Sequence, residues 1–479
     1  MTNEDLCFTP AAELAALIRA RKLSPVELTD IVLDRLHALE PKLNAFITIT
    51  DDQARIDARR AEQAVMDGET LGPLHGVPMG LKDFIETKGV RTTFGSHLMV
   101  DNVPKQDSVV AARVRAAGGI FLGKTMGPDM GWKATGDSIL TGSSHNPWSL
   151  DHTPGGSSSG ACATVATGIG PLTVGTDGAG SIRIPASFCG VFGLKPSYGR
   201  VPQPGQSPTN GSHTGPIGRT VADGALLLKV IAGPHESDPA TLQAAPKDYP
   251  ALLETGVAGK RMAWSLDLGF AEMMDPEVAD LCAKAARAFE DTGAIVEEAT
   301  PDWGNPMPII RDFWPAVWAG RIGHAIEEFR DRLDPGLVAC AEVGLRQRPE
   351  TFFKAQMERV AFCERTHHFF ERYDFLLTPT VAVPALKIGR IVPDGCPDHP
   401  WDWLSWCPFG FPFNLTWHPA ATVPAGFTQD GRPVGLQIVG RRFDDLGVLQ
   451  ASAAFERVRP WAQVRPPLDT GSGQMTEPE

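Results

Sequence analysis

Two stretches of sequence decide the fold: TPGGSSSG at residues 153–160 and GTDGAGSIRIP at residues 175–185. Both are rich in glycine and small residues, but apolar segments surround them, which favours ordered loops over a flexible linker. The small residues before Ser181 leave consecutive backbone N–H groups able to point at one spot, as an oxyanion hole requires. The two stretches therefore indicate a site that uses serine chemistry.

A different serine motif overlaps the first stretch. Gly156, Ser158 and Gly160 match the GxSxG pattern of the nucleophile elbow in α/β-hydrolases. That elbow needs a strand directly before it, whereas NPWSLDH at residues 146–152 is typical of a turn. The sequence therefore disfavours the elbow as the position of a nucleophile.

A lysine lies upstream, in GVPMGLKD at residues 76–83. Lys82 follows an apolar stretch, and a buried lysine loses its proton more readily and can act as a base. Taken alone, however, a lysine is far more often a solvated surface charge. Asp83 is adjacent on an extended segment, so we expect its side chain to point away from that of Lys82.

These segments resemble the amidase signature family, in which a Gly/Ser-rich stretch holds a Ser-cisSer-Lys triad. The spacing of Lys82, Ser157 and Ser181 matches that of the family. Further segments that follow its pattern are the whole of residues 153–200, GRTVAD at 218–223 and GRPVGLQIVG at 431–440. The resemblance extends over residues 5–465 and implies that no cofactor is needed.

The resemblance implies a role for each residue of the triad. Ser181 is expected to be the nucleophile that forms an acyl-enzyme, and Lys82 to be the general base. Ser157 is expected to bridge them, on a cis peptide bond that follows Gly156. The backbone N–H groups expected to form the oxyanion hole, with that of Ser181, are those of Gly178, Ala179 and Gly180. The residues expected to support this loop are Ser158, Thr176, Asp177 and Arg183.

Several positions depart from the usual family pattern. Ala179 stands where a glycine is usual, which suits a hole made of backbone amides unless that residue needs a positive φ. Residues 125–131 lack the Asn and Glu usual there, and Trp417 stands where glycine is common. Because these segments border the substrate site in the family, Met130 and Trp417 are predicted to line the substrate pocket.

The resemblance implies an amidase that cleaves a carboxylic amide or a related C–N bond, as in an anilide, urea, carbamate or hydrazide, of a small molecule. The alternative is the amidating component of a Glu-tRNA(Gln) or Asp-tRNA(Asn) amidotransferase, which shares the triad. TP at residues 153–154 replaces the Val-Pro usual in that component, and SHT at residues 212–214 replaces its Ser-Leu-Asp. Both differences favour the hydrolase. A non-catalytic binding protein is a third interpretation, and the intact triad argues against it.

The composition excludes other classes of protein. The chain has 479 residues, 42% hydrophobic and 21% charged, as expected of a globular protein. The formal net charge of −13 disfavours binding to nucleic acid. No apolar run is long enough for a membrane span and the start is unlike a secretory signal, so a cytoplasmic protein is expected. The sequence has no HExxH or cysteine-histidine cluster for a metal, and its eight cysteines lack CxxC pairs and are expected to be free thiols.

The order of elements predicts one large α/β amidase-signature domain, with a central mixed β-sheet flanked by helices. Residues 1–67 are expected to form an N-terminal helical segment that packs on this core or contributes to a homodimer interface. Residues 68–466 are expected to form the α/β domain, with its catalytic core at 68–235. The region 300–420 is more variable, and its many aromatic residues are interpreted either as ordinary core or as the lining of an apolar pocket. A frayed tail is expected at residues 467–479.

Overall fold

The structure is a computed structural model of the chain, and it describes residues 1–205 and 211–468. The tail predicted from residue 467 therefore lies almost wholly outside the described residues. Across the two described ranges, no helix is both long and apolar enough to cross a membrane.

One mixed β-sheet forms the centre of the molecule. The strands are β1 (Phe46–Ile49), β2 (Pro78–Lys82), β3 (Ile120–Thr125), β4 (Asp137–Ser138), β5 (Gly142–Ser143), β6 (Leu172–Asp177), β7 (Phe192–Lys195), β8 (His213–Gly218), β9 (Arg261–Trp264), β10 (Ile295–Glu298), β11 (Phe375–Pro379), β12 (Ala420–Phe427) and β13 (Pro433–Gly440). Strands β4 and β5 pair only with each other, and the rest form the sheet in the order β1-β3-β2-β6-β8-β7-β12-β13-β11-β9-β10. Parallel pairs such as β2 with β6 adjoin antiparallel pairs such as β6 with β8, so the sheet is mixed, as predicted.

Helices cover the sheet. The helices are α1 (Asn3–Cys7), α2 (Ala11–Arg19), α3 (Pro25–Leu43), α4 (Asp51–Asp67), α5 (Val109–Ala116), α6 (Ser159–Ala166), α7 (Arg183–Cys189), α8 (Val221–Ile231), α9 (Pro276–Arg287), α10 (Met307–Ile322), α11 (Ile326–Phe329), α12 (Pro335–Arg346), α13 (Pro349–Arg372), α14 (Pro412–Leu415) and α15 (Asp445–Val458). Along β13, Leu436 and Ile438 belong to one buried cluster and Val439 to another. Because successive side chains of a strand point to opposite faces, both faces of the sheet are buried.

Strand β1 corrects the prediction that the N-terminal segment is wholly helical. This four-residue strand pairs antiparallel with β3 and forms one edge of the sheet. It lies between α3 and α4, where the run FITI is too short to show a strand period of its own. The N-terminal segment therefore contributes to the central sheet as well as to the helical layer.

A close approach explains one glycine of the Gly/Ser-rich stretch. Gly160 lies in the first turn of α6, and a Cβ atom there would be 2.0 Å from the carbonyl oxygen of Ala45. Only a glycine fits at this contact. It brings α6, and the loop that precedes it, against the segment between α3 and β1.

Candidate active site

The candidate site lies at one edge of the sheet, where two neighbouring strands end. Lys82 is the last residue of β2 and Asp177 the last residue of β6, and these two strands are parallel. Because the carboxyl ends of parallel strands meet at the same edge, the segments that follow them converge there. The loop before α6 brings Ser157 to this edge, and the turn between β6 and α7 brings Ser181.

Lys82 is completely buried, and hydroxyl groups surround its side-chain nitrogen. The Nζ atom donates to Ser157 Oγ at 2.7 Å, to Thr176 Oγ1 at 2.8 Å and to Ser158 Oγ at 3.0 Å. Burial lowers the pKa of Lys82 to about 7, although the charge of Asp177 opposes this shift. A neutral amine in contact with Ser157 is therefore well populated near neutral pH.

The serines near Lys82 differ in their access to solvent. Ser157, which follows a cis peptide bond, and Ser181 both line the cavity described below. Ser158 is fully buried, and its hydroxyl donates to the carbonyl oxygen of Thr176 at 3.2 Å. No strand ends directly before Ser158, since the preceding one is β5. The structure thus brings Lys82, Ser157 and Ser181 to one place and offers no nucleophile elbow at Ser158.

Asp177 organises the loop that carries Ser181. The Nη2 and Nε atoms of Arg183 donate to its carboxylate at 2.9 and 3.0 Å, and both side chains are fully buried. The N–H groups of Gly180 and Ile182 also donate to it, at 2.8 and 3.1 Å. Although burial raises the pKa of the Asp177 carboxyl, the Arg183 guanidinium holds that pKa below its usual range. The charged carboxylate therefore ties the loop on both sides of Ser181.

Two residues outside the predicted set complete this network. Asn414 Oδ1 and Gln437 Oε1 each accept a hydrogen bond from Arg183 at 2.7 Å. Asn414 Nδ2 also donates to the carbonyl oxygen and to the carboxylate of Asp177, at 2.9 Å in both cases. Sequence reasoning missed both residues. The available signal was the position of Gln437 inside the family-like segment 431–440.

The three residues expected to form the oxyanion hole do not behave alike. The N–H of Gly180 donates to Asp177, so Gly180 shapes the loop, with a φ of 125°, and does not offer a donor as expected. Ala179 is fully buried and has no positive φ, so its methyl group is accommodated. Within the described residues, the N–H groups of Gly178, Ala179 and Ser181 have no acceptor.

A cavity of about 1000 Å³ includes Ser157 and Ser181 in its lining. Apolar side chains that line it are Phe84, Phe94, Met130, Trp314, Trp318 and Phe352. Polar side chains that line it include Glu86, Tyr198, Gln203, Asp238 and Arg321. An apolar cavity of this kind, with a few polar groups, suits a small organic molecule.

The two residues predicted to line the pocket have different positions. Met130 lines the cavity, in a left-handed conformation with a φ of 51°. Trp417 does not line it, which corrects the prediction. Its ring instead stacks on that of Tyr198, with the ring centroids 5.4 Å apart, and Tyr198 is the residue that reaches the cavity. The φ of Trp417 is 65°, a value that bulky residues rarely adopt.

Asp83 follows Lys82 but points elsewhere, as predicted. Its carboxylate accepts hydrogen bonds from the N–H of Thr93 at 2.9 Å and from the hydroxyl of Thr93 at 2.6 Å. These bonds hold the segment that carries Phe94, whose ring stacks on Phe84 at the cavity wall with the centroids 5.5 Å apart. Two adjacent residues thus serve different parts of the site.

The structure shows no further chemical groups of the kind that bind metals. In the part of the chain that is described, no cluster of His, Cys, Asp and Glu side chains is arranged to hold a metal ion. All eight cysteines are free thiols.

Comparison with known proteins connects this geometry to a family. The Amidase family model matches residues 27–449. An acylamidase of Rhodococcus erythropolis is 40% identical over 478 residues, which cover 97% of this chain and 98% of that protein. The A-type subunit of the glutamyl-tRNA(Gln) amidotransferase of Moorella thermoacetica is 34% identical over 490 residues, which cover 97% of this chain and 99% of that protein. The crystal structure of a bacterial aryl acylamidase superposes with a TM-score of 0.88 at 32% identity, covering 95% of this chain and 97% of that one.

The fold and these matches define the class of protein first: an α/β enzyme that hydrolyses C–N bonds. The chain belongs to the amidase signature family, and it is an amidase.

Proposed function

We propose that this amidase hydrolyses small acyl amides through an acyl-enzyme on Ser181, with Ser157 and Lys82 moving the protons. The main support is the 2.7 Å contact between Lys82 Nζ and Ser157 Oγ inside a fully buried site. A lysine with a pKa of about 7 can accept a proton at neutral pH. Serine needs such a base, because its free hydroxyl group is a weak nucleophile.

In the acylation step, Ser181 Oγ attacks the carbonyl carbon of the amide. Its proton passes to Ser157, which gives its own proton to neutral Lys82. The N–H groups of Gly178, Ala179 and Ser181 donate to the negatively charged oxygen that forms. The C–N bond then breaks, and a proton returns by the same route to the leaving amine.

In the deacylation step, a water molecule attacks the carbonyl carbon of the acyl-enzyme and loses a proton to the same relay. The ester bond to Ser181 breaks, Ser181 regains a proton, and the carboxylic acid leaves. Thr176 and Ser158 support this chemistry by fixing Lys82 Nζ beside Ser157.

The cavity supports amides that carry an aromatic or other bulky apolar group, such as anilides. Its wall presents Trp314, Trp318 and Phe352, which offer flat apolar surfaces to such a group. The relatives named acylamidase and aryl acylamidase agree with this proposal. The role of an amidotransferase component remains the alternative, because a relative of that name is also 34% identical.

A fluorophosphonate, which labels activated serines, tests the proposal. We expect mass spectrometry to find the label on Ser181, and Ser181→Ala to lose the label and to lower anilide turnover by about 10⁴-fold. Ser187→Ala is a matched control, since Ser187 is a buried serine of the adjacent helix α7 that does not line the cavity. A label on Ser158 would contradict the proposal. Anilide turnover that required glutamine and additional protein components would instead favour the amidotransferase.

A further inference from the structure

We propose that Trp417 is a positioning residue that sets the substrate selectivity of the cavity by holding Tyr198 in place. The proposal rests on the proposed function of the same cavity. The rings of Trp417 and Tyr198 are stacked, with 5.4 Å between centroids and 20° between planes. Tyr198 lines the cavity together with Ser157 and Ser181. A change at Trp417 therefore changes the shape of the wall without touching the substrate.

Two arginines hold Trp417 in turn. The guanidinium carbon of Arg359 lies 4.5 Å from the centre of the Trp417 ring, and that of Arg442 lies 5.3 Å from it. Arg359 Nε also donates to the carbonyl oxygen of Leu415 at 2.7 Å, which fixes the backbone just before Trp417. Arg359 belongs to α13, the helix that also carries Phe352 into the cavity wall. The stack thus connects two parts of the wall.

The backbone of Trp417 indicates that this arrangement is held by packing. Its φ of 65° is a conformation that glycine adopts without cost and a bulky side chain does not. A tryptophan persists in such a conformation only where surrounding contacts over-determine it. The contacts that do so are those with Tyr198 and the two arginines.

Tyr198 has a second neighbour that leads toward the nucleophile loop. Its ring meets that of His213 edge-on, with centroids 5.6 Å apart. His213 Nδ1 lies 3.4 Å from Asn414 Nδ2, and Asn414 donates to Asp177. Because Arg183 holds Asp177 by separate hydrogen bonds, loss of the stack is expected to alter substrate binding more than turnover.

The test compares binding in a background that cannot turn substrate over. Calorimetry on Ser181→Ala measures the Kd of acetanilide and of its bulkier 4-butyl derivative, with and without Trp417→Gly. We expect Trp417→Gly to change the ratio of the two Kd values by about two- to tenfold, the range of one aromatic pair. Trp417→Phe keeps a ring for Tyr198 and should restore the ratio. In the enzyme that retains Ser181, kcat should change less than KM does.

Two further variants make the result decisive. Phe443→Gly is the matched control, because Phe443 also has a positive φ, of 70°, and also contacts Arg442, but it is 49% exposed and away from the cavity lining. It should leave the ratio unchanged. Tyr198→Ala should change the ratio as Trp417→Gly does, and the two together should add nothing further.

An unchanged ratio, an equal weakening of both ligands, or additive effects of the two substitutions would overturn the proposal. Because the binding comparison needs no turnover, it decides the role of Trp417 even if the fluorophosphonate test contradicts the chemistry proposed for Ser181.

Discussion

The loop that carries Ser181 and the wall of the cavity are built from different interactions. In the loop, the Asp177 carboxylate and the Arg183 guanidinium are fully buried, and side chains from distant segments complete their hydrogen bonds. In the wall, helices α10 and α13 present aromatic side chains such as Trp318 and Phe352, which make few directional contacts with the loop.

This difference determines how each region tolerates change. Removing one partner of a buried ion pair leaves an uncompensated charge, which is strongly destabilising. Exchanging one apolar side chain for another mainly alters shape and volume, which costs less. The same chemistry can therefore be combined with different cavity walls, and selectivity can vary while the loop stays the same.

The largest expected effect comes from the buried lysine. Lys82→Arg keeps a positive charge but cannot lose its proton, so it should lower kcat/KM by about 10³-fold, as Lys82→Met should. Steady-state kinetics with an anilide, together with the melting temperature of each variant, measures this.

A matched control is Lys124→Arg, because Lys124 is a buried lysine on the adjacent strand β3 whose Nζ donates to the carbonyl oxygen of Ile85 and to Thr87. It should retain most of the activity. Substantial activity in Lys82→Arg would show that Lys82 is an electrostatic or structural residue, and the two regions would then differ less than proposed.

The second expected effect is a dependence of kcat/KM on pH. Burial lowers the pKa of Lys82 to about 7, and only the neutral amine can act as the base. The rate should therefore rise about tenfold per pH unit below this value and level off above it, because the protonated form disappears as the pH rises. Circular dichroism at each pH would confirm that the protein stays folded. A flat profile through neutrality, or a limb near the usual lysine pKa, would contradict the role of Lys82.

The smallest expected effect comes from the wall, and two adjacent residues of α13 provide the comparison. Phe352 lines the cavity, whereas Phe353 is 66% exposed. Phe352→Ala should change the ratio of kcat/KM between a bulky and a small anilide by about tenfold, since it removes apolar surface next to the substrate. Phe353→Ala should leave the ratio unchanged. If both substitutions lowered all rates equally, the wall would not determine selectivity.

Much of the site follows from local sequence. Lys82, Ser157 and Ser181 were expected to meet, and they do so because β2 and β6 are parallel neighbours that end at one edge of the sheet. Asp83 was expected to face away from Lys82, since adjacent residues of an extended segment point to opposite sides, and it does.

Other parts of the site depend on contacts between distant segments. Asn414 and Gln437 are separated from Arg183 by most of the second half of the chain, so no local pattern marks them as its partners. Gly180 was expected to be a donor in the oxyanion hole, but the direction of its N–H depends on where Asp177 lies. Strand β1 was missed because its pairing with β3, and not its own short run of residues, makes it a strand.

The sequence by itself determined the family, the mixed α/β fold and the residues of the candidate chemistry, because these depend on short motifs whose neighbours are mostly local. Only the tertiary structure decided which aromatic residues face the cavity. In the region 300–420 aromatic side chains are common, and some are core while others line the cavity. Trp417 shows the reason: burial and aromatic character are the same for a residue that touches the substrate and for one that holds its neighbour, and only the packing of Tyr198 between Trp417 and the cavity distinguishes the two.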